Sequence, residues 1–240
     1  FSQSTRTKGS SSINITAANN ANGDARTATI TLSAEFAPSV QIMVSQKGGM
    51  YPNYNISPMA PDATGMASTA TELAAKIKLG MNIGNTLEAI GGETAWGNPK
   101  ITKAYVDFIK QSGFNAIRLP CSWNQYMANS DKAEIKAEWL NRVKEVVQYC
   151  VDADMYVLLN IHWDGGWLEN NCTEAKQAEN NAKQKAFWEQ IATKMRDFDE
   201  HLLLASANEP NVSTATQMAV LNSYHQTFIN AVRATGGRNS

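Results

Sequence analysis

Apolar and polar residues follow two different periods along this chain. Three stretches near the N-terminus alternate with period two, namely residues 13–15, 27–32 and 40–44. This alternation predicts three short β-strands. The Asn22-Gly23 pair before the second stretch predicts a tight turn, because both residues tolerate a positive φ. Only about 47 residues belong to this region, too few to bury a sandwich core alone, so residues 1–47 are predicted to be the end of a larger β domain.

The composition changes after this β region. Residues 48–68 are rich in Gly, Pro, Asn and Met, and Pro52, Pro58 and Pro61 disfavour both a sheet ladder and a helix. This segment is predicted to be either a linker or an extension along a surface. Thr69 and Glu72 then have the spacing of a capping box, which predicts that a helix and a second domain, residues 69–240, begin here.

A short apolar run, a polar loop and an amphipathic helix recur four times in this second domain. The apolar runs predict strands at residues 79–83, 116–119, 156–161 and 202–207. Apolar residues at helical spacing predict the core stripes of the helices: Ile101, Tyr105, Phe108 and Ile109; Trp139, Val143, Val146 and Cys150; Phe187, Ile191 and Met195; and Leu221, Tyr224, Phe228 and Val232. Strands that alternate with helices predict an α/β fold with a parallel sheet.

Polar residues follow each predicted strand: residues 82–88, 118–120, 160–164 and 208–210. Taken singly they are ambiguous, since Arg118 could be a structural ion pair, His162 a buried core histidine, Glu88 a solvated charge, and Asn208-Glu209-Pro210 only a turn. Reactive residues of parallel α/β folds lie at the carboxyl ends of the strands. Because all four groups fall at that end, they predict a shared site.

Tryptophans also occur in the loops after the strands, namely Trp96, Trp123, Trp163 and Trp167. A pyranose ring stacks its C–H groups on an indole while its hydroxyls bind Asn, His and Glu side chains. The loops therefore favour a sugar ligand.

Charge and cysteine content exclude several other classes. The 21 basic and 22 acidic side chains leave a net charge of −1, which gives no reason to expect nucleic acid as a partner. No apolar run approaches the roughly 18 residues needed for a membrane span. Cys121, Cys150 and Cys172 form no CxxC pair and are predicted to be buried free thiols. We expect neither a metal nor a cofactor.

Five motifs at the strand ends resemble the catalytic domain of glycoside hydrolase family five, the endoglucanase or cellulase family. They are GMNIGNTLEA at residues 80–89, ETAWGNP at 93–99, IRLPCSW at 117–123, NIHWDGGWL at 160–168 and NEP at 208–210. The resemblance implies a (β/α)8 TIM barrel and an endo-β-1,4-glucanase that hydrolyses cellulose-like glucan, mixed-linkage glucan or xyloglucan by a retaining double displacement. It also implies a secreted, periplasmic or cell-surface protein.

The same resemblance implies a role for each matching residue. Glu209 would be the general acid/base, and Asn208 would hold the 2-hydroxyl of the sugar at the cleavage site. Arg118 and His162 would support this site. Asn85 and Glu88 would bind a glucose further along the cleft.

Many members of that family carry a second histidine where this chain has Trp163, so the contact is expected either to become a stacking contact or to be lost. Trp163 and Trp167 are the predicted stacking platforms. The N-terminal strands resemble, less specifically, the end of an immunoglobulin-like BACON-type module.

The chain accommodates only the first four βα units. Roughly 170 residues follow the N-terminal region, whereas a complete barrel takes roughly 250. The nucleophilic glutamate of the family lies on the seventh strand, beyond this chain, so the chain alone is expected to be inactive, with β-glucan and the second half of the barrel as its partners. We also expect an uncovered inward face that includes Ile83, Ile117 and Leu159.

Two alternatives remain. One is a non-catalytic glycan-binding half domain. The other, a doubly wound nucleotide-binding domain, is disfavoured because Asn82-Ile83-Gly84-Asn85 follows the first strand where GxGxxG would be needed.

Overall fold

The computed structural model describes residues 25–238 and divides the chain into two compact units, Phe1–Gly49 and Met50–Ser240. The boundary lies close to the predicted end of the β region at residue 47. The strand predicted at residues 13–15 and the Asn22-Gly23 turn lie outside the described residues.

The first unit contains an antiparallel hairpin of β1 (Arg26–Ala34) and β2 (Ala37–Gln46), in which Ile30 pairs with Ile42. These are the strands predicted at residues 27–32 and 40–44. No residue of either strand is buried, so the hairpin has no hydrophobic core of its own.

The second unit is built on a four-stranded parallel sheet with the strand order β3-β4-β7-β8. Its strands are β3 (Gly80–Asn82), β4 (Ala116–Leu119), β7 (Tyr156–Asn160) and β8 (Leu202–Ala205). A small antiparallel pair, β5 (Met127–Asn129) and β6 (Glu134–Ile135), lies in the loop after β4. The predicted parallel sheet is confirmed. Strand β4 has the predicted bounds, and the other three strands are shorter than predicted because Leu79, Ile83, Ile161, Ser206 and Ala207 lie outside them.

One helix precedes the sheet and one follows each of its strands. The helices are α1 (Ala70–Lys76), α2 (Lys103–Gln111), α3 (Ala137–Asp152), α4 (Glu174–Met195) and α5 (Ala215–Thr235). The capping box predicted at Thr69 and Glu72 is present, and Thr214 and Gln217 form a second one before α5. Each box satisfies backbone N–H groups that the first helical turn leaves unpaired.

The core lies between the sheet and its helices. Ile83, Ile117 and Leu159 are at most 3% exposed and pack in one cluster with helix residues. Our expectation that they form an uncovered inward face is therefore wrong. Side chains alternate along a strand, so Arg118 and Leu158, which pair in register, point to the opposite face.

The stripe predicted for α2 is also partly wrong. Val106 and Ile109 form its buried face, whereas Tyr105 is 38% and Phe108 64% exposed. At 3.6 residues per turn, Phe108 lies about 130° around the helix from the centre of that buried face. The stripes predicted for α3, α4 and α5 are buried, with Phe228 only partly so, and the three cysteines are buried free thiols as predicted.

The proline-rich residues 50–68 form the start of the second unit and are hydrogen-bonded to its helices. The Tyr54 N–H donates to Glu189 Oε2 on α4 at 2.9 Å, and the Met59 N–H donates to the Thr235 carbonyl on α5 at 3.0 Å. Of the two predictions for this segment, the surface extension describes residues 50–68 better than a free linker.

Candidate active site

An arginine and two asparagines join three loops at the carboxyl ends of the sheet. Arg118 Nη1 donates to Asn82 Oδ1 at 2.8 Å, and Arg118 Nη2 donates to Asn208 Oδ1 at 2.5 Å. Asn82 ends β3, Arg118 lies in β4, and Asn208 follows β8. A guanidinium donates from several nitrogens in a fixed plane, so Arg118 fixes the position of Asn208 relative to the sheet. The structure thus brings Arg118 and Asn208 together, and the role of Arg118 in the site stays a prediction.

Glu209 follows Asn208 in a left-handed backbone conformation, with φ of 43°. Residues other than glycine seldom adopt this region, and such outliers concentrate at functional sites. Its side chain is exposed. Glu209 is thus an accessible carboxyl group on a constrained turn beside Asn208.

His162 is half-buried after β7, and its backbone N–H donates to the Cys121 carbonyl at 2.9 Å. Burial, and then the nearby Arg118 charge, lower the pKa of His162, while Glu88, Glu209 and Asn208 act against this shift. A neutral imidazole at neutral pH follows. Its Nδ1 is buried without a hydrogen-bond partner among residues 25–238, so this nitrogen faces the protein and not the solvent.

Asn85 and Glu88 have different environments in the loop after β3. The Glu88 carboxylate is buried and accepts the N–H groups of Asn85, at 2.5 Å, and Thr86, at 3.0 Å. Asn85 has a φ of 59° and an exposed position. Glu88 therefore shapes the loop that presents Asn85. Direct binding of a glucose by these two residues stays a prediction.

The two tryptophans of the HWDGGWL motif also differ. Trp163 is 43% exposed. Trp167 is half-buried, with its ring edge-on to Phe187 at a centroid distance of 5.7 Å and the Lys183 ammonium 4.8 Å from its centroid. Trp167 thus packs between its loop and α4, which leaves Trp163 as the more open of the two predicted platforms.

The other two loop tryptophans also differ in exposure. Trp96 is 48% exposed, whereas Trp123 is fully buried and donates from Nε1 to the Asn160 carbonyl at 3.0 Å.

Asp164 lies in the NIHWDGGWL motif, and the sequence predicts no role for it. Its carboxylate is buried, and Oδ2 accepts the N–H groups of Trp123, at 2.8 Å, and Asn124, at 2.6 Å. Burial raises its pKa, and these hydrogen bonds act in the opposite direction. Asp164 therefore ties the loop after β7 to the loop after β4.

Sequence reasoning missed Glu169, which directly follows the HWDGGWL motif. Glu169 is 4% exposed, and its Oε1 accepts a hydrogen bond from Asn208 Nδ2 at 3.3 Å. Burial raises the pKa of Glu169 to about 7, with smaller contributions from the Glu209 and Asp164 charges and an opposing one from Asn208. The signal available in the sequence was the position of Glu169 directly after the NIHWDGGWL motif. A glutamate in a loop is usually solvated, so this position alone does not predict a buried site residue.

This geometry agrees with the family comparison. Residues 81–240 match the family model described as cellulase, glycosyl hydrolase family 5. The chain belongs to this family. The prediction of the family is confirmed, and the four strand–helix units form part of the (β/α)8 barrel of family 5.

Known relatives are endoglucanases of this family. The chain is 39% identical to a xyloglucan-specific endo-beta-1,4-glucanase of Bacteroides ovatus, covering 97% of this chain and 49% of the relative. It is also 39% identical to endoglucanase B of Clostridium cellulovorans, covering 72% of this chain and 41% of the relative. The chain thus spans about half the length of the curated relatives it matches.

Solved structures give the same correspondence. A Bacteroides ovatus GH5 xyloglucanase in complex with a XXXG heptasaccharide superposes with a TM-score of 0.73 at 38% identity, covering 90% of this chain and 50% of the other. A broad-specificity GH5-4 endoglucanase from Ruminococcus champanellensis with bound cellotriose gives a TM-score of 0.68 at 42% identity, covering 72% and 55%.

Two structural properties of residues 25–238 concern membranes and metals. No helix in this part of the chain has the length and apolar character of a membrane span. Within the same residues, no group of three or more His, Cys, Asp or Glu side chains is arranged to hold a metal ion.

Proposed function

We propose that this chain supplies the acid/base half of the active site of a retaining endo-β-1,4-glucanase. The observation that carries the proposal is the hydrogen bond from Arg118 to Asn208, which fixes Asn208 and so places Glu209 at the carboxyl end of the sheet. An accessible carboxyl group beside a fixed amide suits a sugar whose glycosidic oxygen must be protonated while a neighbouring hydroxyl is held.

In the proposed reaction Glu209 first acts as the general acid. It gives its proton to the departing glycosidic oxygen while a nucleophilic carboxylate attacks the anomeric carbon and forms a glycosyl-enzyme. Glu209 then takes a proton from water, which attacks the same carbon and releases the sugar with its original configuration. Asn208 would donate to the 2-hydroxyl, and His162 would line the site beside it.

The nucleophile requires a second carboxyl group about 5 to 5.5 Å from the first. Glu169 is buried and bonded to Asn208, so it lacks an open approach to a sugar. We assign the nucleophile to the second half of the barrel, in agreement with the resemblance to family 5. Glu209 and its partner would then face each other across the cleft.

The proposed substrate class is β-1,4-linked glucan: cellulose-like glucan, mixed-linkage glucan or xyloglucan. Relatives named as a xyloglucan-specific endoglucanase and as broad-specificity endoglucanases support this class. The exposed Trp163 ring supports it independently, because an indole face stacks on a pyranose.

We further propose that the protein is secreted, periplasmic or on the cell surface, since polymeric glucan is degraded outside the cytoplasm. Cell fractionation followed by immunoblotting tests this. Protein confined to the cytoplasmic fraction would contradict it.

The activity is tested by joining the 240-residue chain to the second half of the barrel of the Bacteroides ovatus xyloglucan-specific endoglucanase. We call this fusion the joined barrel. It is expected to release oligosaccharides from soluble β-glucans with retained anomeric configuration, observed by proton NMR during early hydrolysis. A folded joined barrel that binds glucan without cleaving it would instead favour the glycan-binding alternative.

A further inference from the structure

Glu169 is bonded to both ends of the short segment that carries Glu209. Its Oε1 accepts from Asn208 Nδ2 at 3.3 Å, and its backbone carbonyl accepts from the Asn211 N–H at 2.8 Å. Glu209 and Pro210 lie between these two partners. The loop after β7 thus holds the acid/base segment from one side, while Arg118 holds Asn208 from the other.

Arg118 and Glu169 also determine the rotation of the Asn208 amide group. A guanidinium can only donate, so the Asn208 oxygen faces Arg118. An ionised carboxylate can only accept, so the amide nitrogen faces Glu169. Turning the amide by half a revolution would place donor against donor and acceptor against acceptor. Glu169 therefore complements Arg118 in selecting one orientation.

The backbone at Glu209 requires this support. A left-handed φ of 43° at a residue other than glycine is strained and persists only where the surroundings determine it. The hydrogen bonds that Glu169 accepts from Asn208 and Asn211 bracket the strained residue.

We propose that Glu169 is a positioning residue for the acid/base turn, fixing the orientation of the Asn208 amide and the backbone on both sides of Glu209. The inference rests on the function proposed above, because it is the hydrolase reaction that gives the Asn208 and Glu209 orientations their purpose. Glu169 acts through these residues and does not touch the sugar.

The charge of Glu169 makes this role observable. Its pKa of about 7 is set first by burial, and the Glu209 and Asp164 carboxylates that act on it raise it further. The hydrogen bond from Asn208 acts against this rise, because it favours the ionised form of Glu169. Near neutral pH, therefore, the acceptor that holds Asn208 changes its charge. Removal of the Glu209 charge is expected to lower the pKa of Glu169.

The test uses NMR on the 240-residue chain with ¹³C-labelled glutamate and ¹⁵N-labelled asparagine. We expect the Glu169 carboxyl carbon and the Asn208 side-chain amide signals to shift with the same midpoint, at a pH of about 7. In Glu209→Gln the midpoint should move to lower pH. Asn208 amide signals that stay constant while Glu169 titrates would overturn the proposal.

Two variants of Glu169 distinguish the effect of its hydrogen bond with Asn208 from the effect of its charge. Glu169→Gln keeps an acceptor oxygen, so it should preserve the Asn208 signals and remove their pH dependence. Glu169→Leu removes the acceptor and should shift them even at low pH. Glu174→Gln, an exposed position in the first turn of α4, is the matched control and should change neither. If Glu169→Leu does not fold, wild type and Glu169→Gln decide the outcome.

Kinetics of the joined barrel supply a second readout. Loss of a positioning contact of this kind typically costs about 10- to 100-fold, which we expect for Glu169→Leu in kcat with a smaller change in KM. Glu169→Gln should restore most of this loss. A joined barrel without activity would contradict the proposed function but leave the NMR result standing, whereas unresponsive Asn208 signals would contradict only the role of Glu169.

Discussion

Arg118 Nη2 lies 2.5 Å from Asn208 Oδ1. A side chain of the second strand of the sheet therefore holds Asn208, the residue before Glu209 in the loop that follows the fourth strand. The same guanidinium reaches Asn82 at the end of the first strand. One side chain thereby sets the spacing of three strand-end loops.

Replacing Arg118 by lysine should separate these loops. An ammonium lacks the planar fork that serves Asn82 and Asn208 together, and hydrogen bonds to charged groups contribute about 1.5 to 3 kcal/mol. We expect kcat/KM of the joined barrel to fall about 10- to 100-fold in Arg118→Lys. The exposed Arg233→Lys is the control. In a double-mutant cycle with Asn208→Ala the two losses should not add, and full additivity would show that the bond has no part in positioning Asn208.

The difference between Trp163 and Trp167 predicts two different phenotypes. Trp163→Ala should weaken cello-oligosaccharide binding by about 1 to 3 kcal/mol with little change in thermal stability, because an exposed ring is removed. Trp167→Ala should instead lower the unfolding free energy by about 2 to 4 kcal/mol, since its ring packs against Phe187. Calorimetric titration and thermal unfolding measure the two effects. The reverse pattern would exchange the roles assigned to the two rings.

The paired glycines before Trp167 allow a matched comparison. A Cβ at Gly166 would meet the Asn170 side-chain amide first and would also come within 2.9 Å of the Trp163 ring, whereas at Gly165 it would meet nothing within 4 Å. Both residues have a positive φ, so alanine at either position should cost about 1 kcal/mol or more in stability. Only Gly166→Ala should also displace the Trp163 ring and weaken oligosaccharide binding. Equal binding by both alanine variants would contradict this placement of the ring.

Glu200 predicts a pH dependence of stability. Hydrogen bonds from Lys76 and Ser68 lower the pKa of Glu200 to about 2. Because its folded-state pKa is depressed, its stabilising contribution is present above the ordinary pKa and is lost as the pH falls toward the folded value. The melting temperature of wild type should therefore fall more steeply below a pH of about 4.5 than that of Glu200→Gln. Glu174→Gln should behave like wild type, and parallel curves for all three would argue against this contribution.

The strand ends were predictable because two signals agree at each of them. An apolar run with a polar residue after it marks the carboxyl end of a buried strand, and parallel topology then brings those ends together. The positions of Asn208, Glu209, Arg118 and His162 at this edge of the sheet were predicted in this way. Thr69 and Glu72 were found because a capping box depends only on local spacing.

The sequence does not show which side of a helix or strand faces the core, and the wrong predictions arise from this. Phe108 fits a helical spacing but lies on the exposed side of α2, and the period alone does not fix the centre of the buried face. Ile117 and Leu159 alternate correctly, yet alternation does not state which face is inward. Glu169 and Asp164 are buried by loops from distant parts of the chain, a relationship that no local pattern contains.

The most direct test of the central claim is the turnover of two substrates by Glu209→Gln in the joined barrel. General acid catalysis contributes about 10²- to 10⁴-fold, so hydrolysis of soluble β-glucan should fall by about that factor. An aryl cellobioside with a good leaving group needs little protonation, and its glycosylation step should be much less affected. This difference between the two substrates is the result that the assignment of Glu209 as the acid/base predicts. An equal loss of the glycosylation rate on both substrates would show that Glu209 has a structural role.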